Sequence, residues 1–402
     1  MFGPFKKASV ILNKLQTHGH EAYFVGGAVR DFLLQRQIGD VDIATSATPT
    51  DILSLFEHTV DVGIEHGTII VLIDSIPFEV TTFRAEDQYE DYRRPSKVAF
   101  IKSLKDDLQR RDFTMNAMAM TLSGEIIDPF NGKHAISEGL IETVGNPSER
   151  FNEDALRIMR GVRFVSQLNF KLAPQTKEAM KTHGYLLSKI SVERITTEFE
   201  KIITSQFPNK GLSLLLDSNL YQYLPTLKDY SNQLTEVIRV DWSRLNSNVE
   251  GWTLLTYILE VKNPQTFLKA WKLSNKTINA VLKNLTSIED ILSKGWTNLT
   301  LYRIGLVNLP QIHRLLAVIQ NKVTTSIDFL TDRYQGLVIK SRDELVINGV
   351  DVINWSEKKA GPWVSEALSA VELAVLDGQL ENDREKIKEW LLHCNRKSEK
   401  NY

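Results

Sequence analysis

The chain carries one cysteine, Cys394, in 402 residues. That excludes an internal disulfide and a thiolate zinc cluster, and it suits the cytoplasm. No stretch approaches the ~20 apolar residues of a membrane span. The N-terminal MFGPFKKASVILNKL is not a secretion signal, because Lys6, Lys7 and Lys14 crowd an apolar run that is too short. The eight histidines show no HExxH spacing, and nothing supports Ser–His or Cys–His catalysis. A strong charge is missing as well. The formal net charge is -2, so a polyanion would have to be met by local patches.

What is present is a chain long enough for two to four domains. Phe5, Ala8, Leu12 and Leu15 recur at helical spacing. AYFV (22–25) runs through two glycines into the helical AVRDFLLQ, and VDIA (41–44) is a short strand. Thr48 and Pro49 read as N-cap and first residue of a helix. GTIIVLI (67–73) and PFEVTTF (77–83) are strands linked by a tight DSI turn. EDQYEDYRRPSK (86–97) has no apolar period and is expected to be a loop. MNAMAMT, EIIDP and LIETVG supply further short strands. After Pro147 the periodicity becomes helical and stays so.

GDVDIATS sets Asp40 and Asp42 one residue apart, on one face of a strand. Two like charges side by side repel and call for a partner. Converging fixed acids describe a hard-cation site, and magnesium takes a few carboxylates plus substrate phosphates. The bland alternative is a solvent-facing pair on an edge strand. Upstream, Gly26 and Gly27 let the backbone approach an anion at a helix start, with Arg30 on the first turn. This is neither GxGxxG nor a Walker loop. Glu79, an acid within a β-branched strand, is the candidate third carboxylate; a solvent-facing strand residue is the alternative.

FNEDALRIMRGVRF (151–164) reads as one helix with Asn152 as N-cap. Ala155, Ile158, Met159 and Val162 form its core face, and Asp154, Arg157, Arg160 and Arg163 step by three along the other side. A surface ion pair explains Asp154 and Arg157 as well as a site does. Chemistry offers more. A carboxylate accepts from an exocyclic amine and a guanidinium donates to ring acceptors. One Asp–Arg pair could therefore accept C and A and reject U and G. In RRDFTMNA, Arg111 is a candidate phosphate contact, and Asp112 and Asn116 could bond ribose hydroxyls, unless Asp112 only caps a helix.

GGAVRD, GDVDIATSATP, RRDFTMNAMA, IDPFNG and EDALRIMRGVRF occur in one order. Together they resemble the class II tRNA nucleotidyltransferases, the bacterial CCA-adding enzymes of the polymerase-β-like superfamily. The segment GPWVSEALSAVELAVLDGQLENDREKIKEWL also resembles that family's long Gram-positive form. The resemblance implies an α+β chain in an elongated arrangement: a nucleotidyltransferase head with a mixed sheet (1–146), then all-α neck (147–206), body (207–306) and tRNA-binding tail (307–402). It implies that Asp40 and Asp42 hold Mg²⁺, as two ions, and that Asp154 and Arg157 read the base with Glu153 orienting them. Arg160 and Arg163 would lie near the base or triphosphate. A flexible loop holding Glu86, Asp87, Tyr89, Asp91 and Arg93 would gate the switch from C to A.

The activity implied is template-independent addition of CCA to tRNA from CTP and ATP, with pyrophosphate released. Expected partners are the tRNA 3′ end and acceptor region, the two nucleotides and a second copy of the chain, with no membrane. Lys386, Lys388, Arg396, Lys397 and Lys400 make the C-terminus locally basic, which suits phosphate contacts. The absence of any His-Asp dipeptide argues against the phosphohydrolase domain that some relatives append. Rivals are a poly(A) polymerase, a CC-only or A-only enzyme, and an idle tRNA-binding relative.

Overall fold

The computed structural model describes residues 3–86, 89–90, 94–95, 98–322, 325–356 and 359–398. The chain divides into two units, Met1–Ser243 with Ala270–Lys272, and Arg244–Lys269 with Leu273–Tyr402. The first unit contains the expected mixed sheet. Across it the strands are Ile126–Ile127, Ala119–Met120, Ala22–Val25, Asp42–Thr45, Ile76–Thr82, Thr68–Ile73 and Thr59–Gly63. Neighbours are antiparallel except Asp42–Thr45 and Ile76–Thr82, which run parallel with Ile43 opposite Val80.

Alternation along these strands sends Phe24, Ile43 and Val80 to one face, where the helix Phe5–Thr17 buries Phe5, Ala8, Ile11, Leu12 and Leu15. Val25, Ala44 and Ala119 face the other side, under Phe83 and Leu108. Each such large side chain contributes about 1.5–3 kcal/mol on burial. The hairpin after Ile73 turns on Asp74 and Ser75, both at positive φ (50° and 63°), as a two-residue turn of matching twist requires. Thr48 caps Pro49–Leu55 as expected, its hydroxyl accepting from the Asp51 N–H.

Four expectations need correction. The strand Thr59–Gly63 was not foreseen. It is an edge strand broken by a register shift, where the Asp61 carboxylate accepts from the N–H groups of Gly63 and Ile64. MNAMAMT is a strand only at Ala119–Met120, since Thr114–Asn116 is a 3₁₀ turn. The stretch 86–97 is not simply a loop: Arg84–Glu86 pairs with Val98–Phe100, and Tyr89–Glu90 with Arg94–Pro95. Backbone pairing does not need an apolar period. Of the gating residues, Asp87, Asp91 and Arg93, and the side chains of Glu86 and Tyr89, lie outside the described residues. Among the described residues after Pro147 the only strand is Lys171–Leu172, which pairs in parallel with Leu140–Ile141.

The fourth correction concerns 151–164, which is two helices. Pro147–Glu153 is capped by Asn146, whose side chain accepts from the Ser148 N–H, so Asn152 is not the cap. Asp154 then leaves helical geometry (φ -136°, ψ 102°), and Leu156–Leu168 follows. The Asp154 carboxylate accepts from the Leu156 N–H at 3.1 Å and so competes with the helical backbone.

In the second unit Trp252 is fully buried on the helix Asn248–Ile258, beside Asn275–Lys294 and Leu309–Ile319. Lys386 pairs with Glu381 at 2.6 Å, and the Lys388 ammonium lies 5.9 Å from the Trp355 ring. The side chains of Arg396, Lys397 and Lys400 lie outside the described residues. Among the described residues no helix is long and apolar enough to cross a membrane.

Candidate active site

Asp42 opens its strand opposite Val25, and Glu79 precedes Val80 on the parallel neighbour. Because Ile43 and Val80 are in register, Asp42 and Glu79 share one face of the sheet. Asp40 and Glu79 are exposed, whereas Asp42 is half-buried. Burial, then the charges of Glu79 and Asp40, push the Asp42 carboxyl up to about 6, against the pull of Arg111. Among the described residues no three acid, imidazole or thiol groups converge into a ready-made metal cage.

The glycine turn closes over Asp42. Gly26 has φ 72°, and a Cβ there would come within 3.3 Å of Arg111 Nη1 and 3.5 Å of Asp42 Oδ2. A Cβ at Gly27 would meet only Arg30 Nη2, at an ordinary 3.6 Å. Arg111 is held at 3.2 Å by Asp107, a fully buried carboxylate that also takes Arg110. Burial works to raise the Asp107 carboxyl, but the two guanidiniums hold it below its ordinary value.

A buried polar relay then crosses to the helix Leu156–Leu168. Arg30 Nη1 donates to Asn116 Oδ1 at 2.7 Å, Asn116 Nδ2 donates to Asp112 Oδ1 at 3.0 Å, and Arg160 donates to Asp112 Oδ2. The Phe113 N–H takes the remaining site on Oδ1. Burial favours the neutral Asp112, yet Arg160 and these hydrogen bonds bring it down to about 2. All of its acceptor positions are filled, so a ribose hydroxyl would have to displace a partner. The guanidiniums of Arg30, Arg160 and Arg163 lie 5.2, 5.7 and 4.5 Å from the Phe164 ring. Arg163 pairs with buried Glu198 at 3.1 Å; burial and then Arg160 lower its guanidinium to about 10.

At the helix break Arg157 is buried rather than solvated. Its Nη1 donates to Glu153 Oε2 at 2.7 Å and to the Arg150 carbonyl, and its Nη2 donates to the Arg110 carbonyl. Asp154, half-buried, pairs with Arg194 at 3.1 Å. Gly26, Asp42, Arg30, Arg157 and Arg160 therefore gather around one segment, 110–116, from both sides, whereas Asp154 and Arg163 pair with the helix Val192–Ile203. Four others were missed in the sequence: Asp107, Phe164, Arg194 and Glu198. Asp107 stands three and four residues before Arg110 and Arg111, a spacing that could have flagged it. Phe164 had no signal beyond its place in an apolar helix. Arg194 and Glu198 lie one turn apart in a helix that otherwise reads as ordinary packing.

Family comparisons agree along the length of the chain. Residues 22–142 match the family described as "Poly A polymerase head domain", 169–231 match "Probable RNA and SrmB- binding site of polymerase A", and 243–391 match tRNA nucleotidyltransferase domain 2. A CCA-adding enzyme of Bacillus cereus (strain AH820) is 46% identical over 392 residues, covering 97% of this chain and 99% of that one. The structure of the Bacillus stearothermophilus CCA-adding enzyme in complex with CTP superposes with a TM-score of 0.93 at 45% identity, covering 100% of both chains. The Thermotoga maritima CCA-adding enzyme complexed with tRNA shares the fold, with a TM-score of 0.63 at 20% identity, over 98% of this chain and 96% of that one. On this identity and coverage, the chain belongs to the CCA-adding enzymes, the tRNA nucleotidyltransferases that share this head.

Proposed function

We propose that this site adds C, C and A to the 3′ end of tRNA from CTP and ATP, without a nucleic-acid template. The observation that carries the reading is the meeting of the Asp40–Asp42 pair with the Gly26 turn and Arg111, next to a helix lined by arginines. The acids suit a metal, and the arginines suit a triphosphate. In the reaction the terminal 3′-oxygen bonds to the α-phosphorus as the bond to the β-phosphate oxygen breaks, and pyrophosphate leaves.

Nucleotidyltransferases of this family generally use divalent metal ions. The donor set here fits one. Glu79 and Asp40 each raise the Asp42 carboxyl, and a hard cation relieves that repulsion where Arg111 alone does not. We assign Mg²⁺, as two ions, to Asp40 and Asp42, with Glu79 as a further acid. When bound, the ions supply an activated 3′-oxygen and charge stabilisation for the departing pyrophosphate. Gly26 and Gly27 let the phosphates approach the backbone, and Arg30, Arg111, Arg160 and Arg163 balance their charge. Asp112 and Asn116 are the candidate ribose contacts, a role in which the hydroxyl takes the place of one of Asp112's present donors. Asp154 and Arg157 read the base, and Glu153 steers Arg157.

The reading keeps the division into head (1–146), neck (147–206), body (207–306) and tail (307–402). It places the protein in the cytoplasm with the tRNA acceptor region as its partner. It also takes a homodimer as the assembly, which sedimentation of the purified protein tests. Incubating tRNA that ends at its discriminator base with each nucleotide alone and then all together, and sequencing the products, tests the activity. CTP alone should add two residues, and CTP with ATP should add CCA and stop. Long tails from ATP alone would instead mark a poly(A) polymerase.

A further inference from the structure

We propose that Arg194 sets nucleotide choice by locking the Asp154 carboxylate in one orientation. The inference rests on the reading of Asp154 as the acid that faces the base. Asp154 sits at the break between two helices, where no helical neighbour fixes its side chain. Two bonds do so instead. Oδ1 accepts from the Leu156 N–H at 3.1 Å, and Oδ2 accepts from Arg194 Nη2 at 3.1 Å. One donor comes from the chain two residues on, and the other from the helix Val192–Ile203. A carboxylate held at both oxygens cannot turn without losing one of these bonds.

Arg194 is well placed to act as a fixed clamp. Its helix buries Ile195, Phe199, Ile202 and Ile203, and the Thr196 hydroxyl donates to the Trp271 carbonyl at 2.8 Å. One turn further along, Glu198 pairs with Arg163 at 3.1 Å. Two ion pairs of opposite sense therefore hold this helix against the base-reading segment. Arg194 touches Asp154, not the base, so it is a positioning residue.

The consequence for specificity follows from hydrogen-bond direction. Each held oxygen keeps acceptor capacity. An exocyclic amine, on cytosine or adenine, can donate into it. A carbonyl at the same place, on uracil or guanine, meets a second acceptor. That repulsion rejects the wrong base only if the carboxylate cannot swing away from it. Arg194 supplies the constraint, so losing it should admit the wrong base more than it weakens the right one.

The test is incorporation of CTP against UTP into tRNA ending at its discriminator base, with Mg²⁺, for the full chain and for Arg194→Ala, Arg194→Gln, Arg194→Lys and Asp154→Asn. The UTP-to-CTP ratio of kcat/KM should rise by about tenfold or more in Arg194→Ala and Arg194→Gln. Arg194→Lys should recover part of the discrimination, and the Kd for tRNA should hold. If thermal melting shows Arg194→Ala unfolded, Arg194→Gln, which keeps a polar stem but is uncharged and two bonds too short to reach Asp154 as Nη2 does, carries the measurement. A wild-type ratio in both Ala and Gln variants, with a relaxed ratio in Asp154→Asn, would reduce Arg194 to a strut between helices and overturn the inference. A wild-type ratio in Asp154→Asn would overturn the reading of Asp154 itself, and the inference with it.

Discussion

Asp42 and Glu79 stand side by side on adjacent parallel strands, one residue before the registered pair Ile43 and Val80. Their charges are coupled, because Glu79 is the largest charged contribution raising Asp42. A strand acid that merely faced solvent would have no reason to be matched to the one acid that opens the neighbouring strand. If Glu79 helps to hold the ion, Glu79→Gln should weaken Mg²⁺ binding by about tenfold, the scale seen when a supporting ligand group is lost. A thermal-shift titration with Mg²⁺ and no nucleotide reads this directly. An unchanged titration curve would return Glu79 to a solvent-facing role.

Asp40 and Asp42 serve every step if one metal site handles both C and A. Asp40→Ala and Asp42→Ala should each slow addition of both nucleotides by about a thousandfold or more, equivalent to roughly 4 kcal/mol of transition-state stabilisation. Gel-shift binding of tRNA should persist. Loss of A addition alone would break the single-site reading.

Asp112 should make acid stability depend on the relay. Its folded carboxyl sits near 2, below its ordinary value. A depressed carboxylate stabilises the fold above its unfolded pKa, and that contribution is lost as pH falls through the folded one. The window therefore runs from about pH 4 down to about pH 2. A shift of that size is worth roughly 2 kcal/mol. Asp112→Asn should lower the melting temperature at pH 7, because it also leaves Arg160 without its carboxylate. The gap to the wild type should narrow as pH drops toward 3. A constant gap across that range would mean that packing, not charge, is what the variant loses.

The parts legible in the sequence were those written in local rules. Thr48 with Pro49 marked a helix start, and AYFV marked a strand that the structure reproduces residue for residue. The acid pair and the glycine turn were legible as motifs in one order, and the structure sets Gly26 beside Asp42. Other features depend on partners far along the chain. Arg194 became informative only when folding set it against Asp154, forty residues away. The helix break at Asp154 was hidden because the apolar period continues past it, while one side-chain hydrogen bond decides the backbone. Thr59–Gly63, an edge strand with three exposed residues and a register shift, lacks the alternation that strand reading relies on. Arg157 looked solvated by spacing alone, and its burial reflects carbonyls supplied by residues 110 and 150.

Gly26 offers the sharpest test of how closely the turn and the acids must approach. Its φ of 72° lies where a side chain is disfavoured, so Gly26→Ala should destabilise the fold by about 1–2 kcal/mol. The new methyl would also press on Arg111 Nη1 at 3.3 Å. That guanidinium is the end of a flexible side chain, but Asp107 holds it at 3.2 Å, so it cannot withdraw without breaking an ion pair. The methyl would stand 3.5 Å from Asp42 Oδ2 as well, inside the space where metal and triphosphate are proposed to meet. At Gly27 a Cβ finds only an ordinary contact and φ is not positive, so Gly27→Ala adds a methyl to the same turn without backbone strain. Gly26→Ala should raise KM for CTP and ATP together, by about tenfold or more if the lost contact is worth 1.4 kcal/mol or above. Gly27→Ala should keep the wild-type melting temperature and raise KM for both only through the methyl's obstruction of the phosphates. Steady-state kinetics beside a thermal melt separate the two effects, and a folded Gly26→Ala protein with wild-type KM for both nucleotides would show that the phosphates do not pass close to this turn.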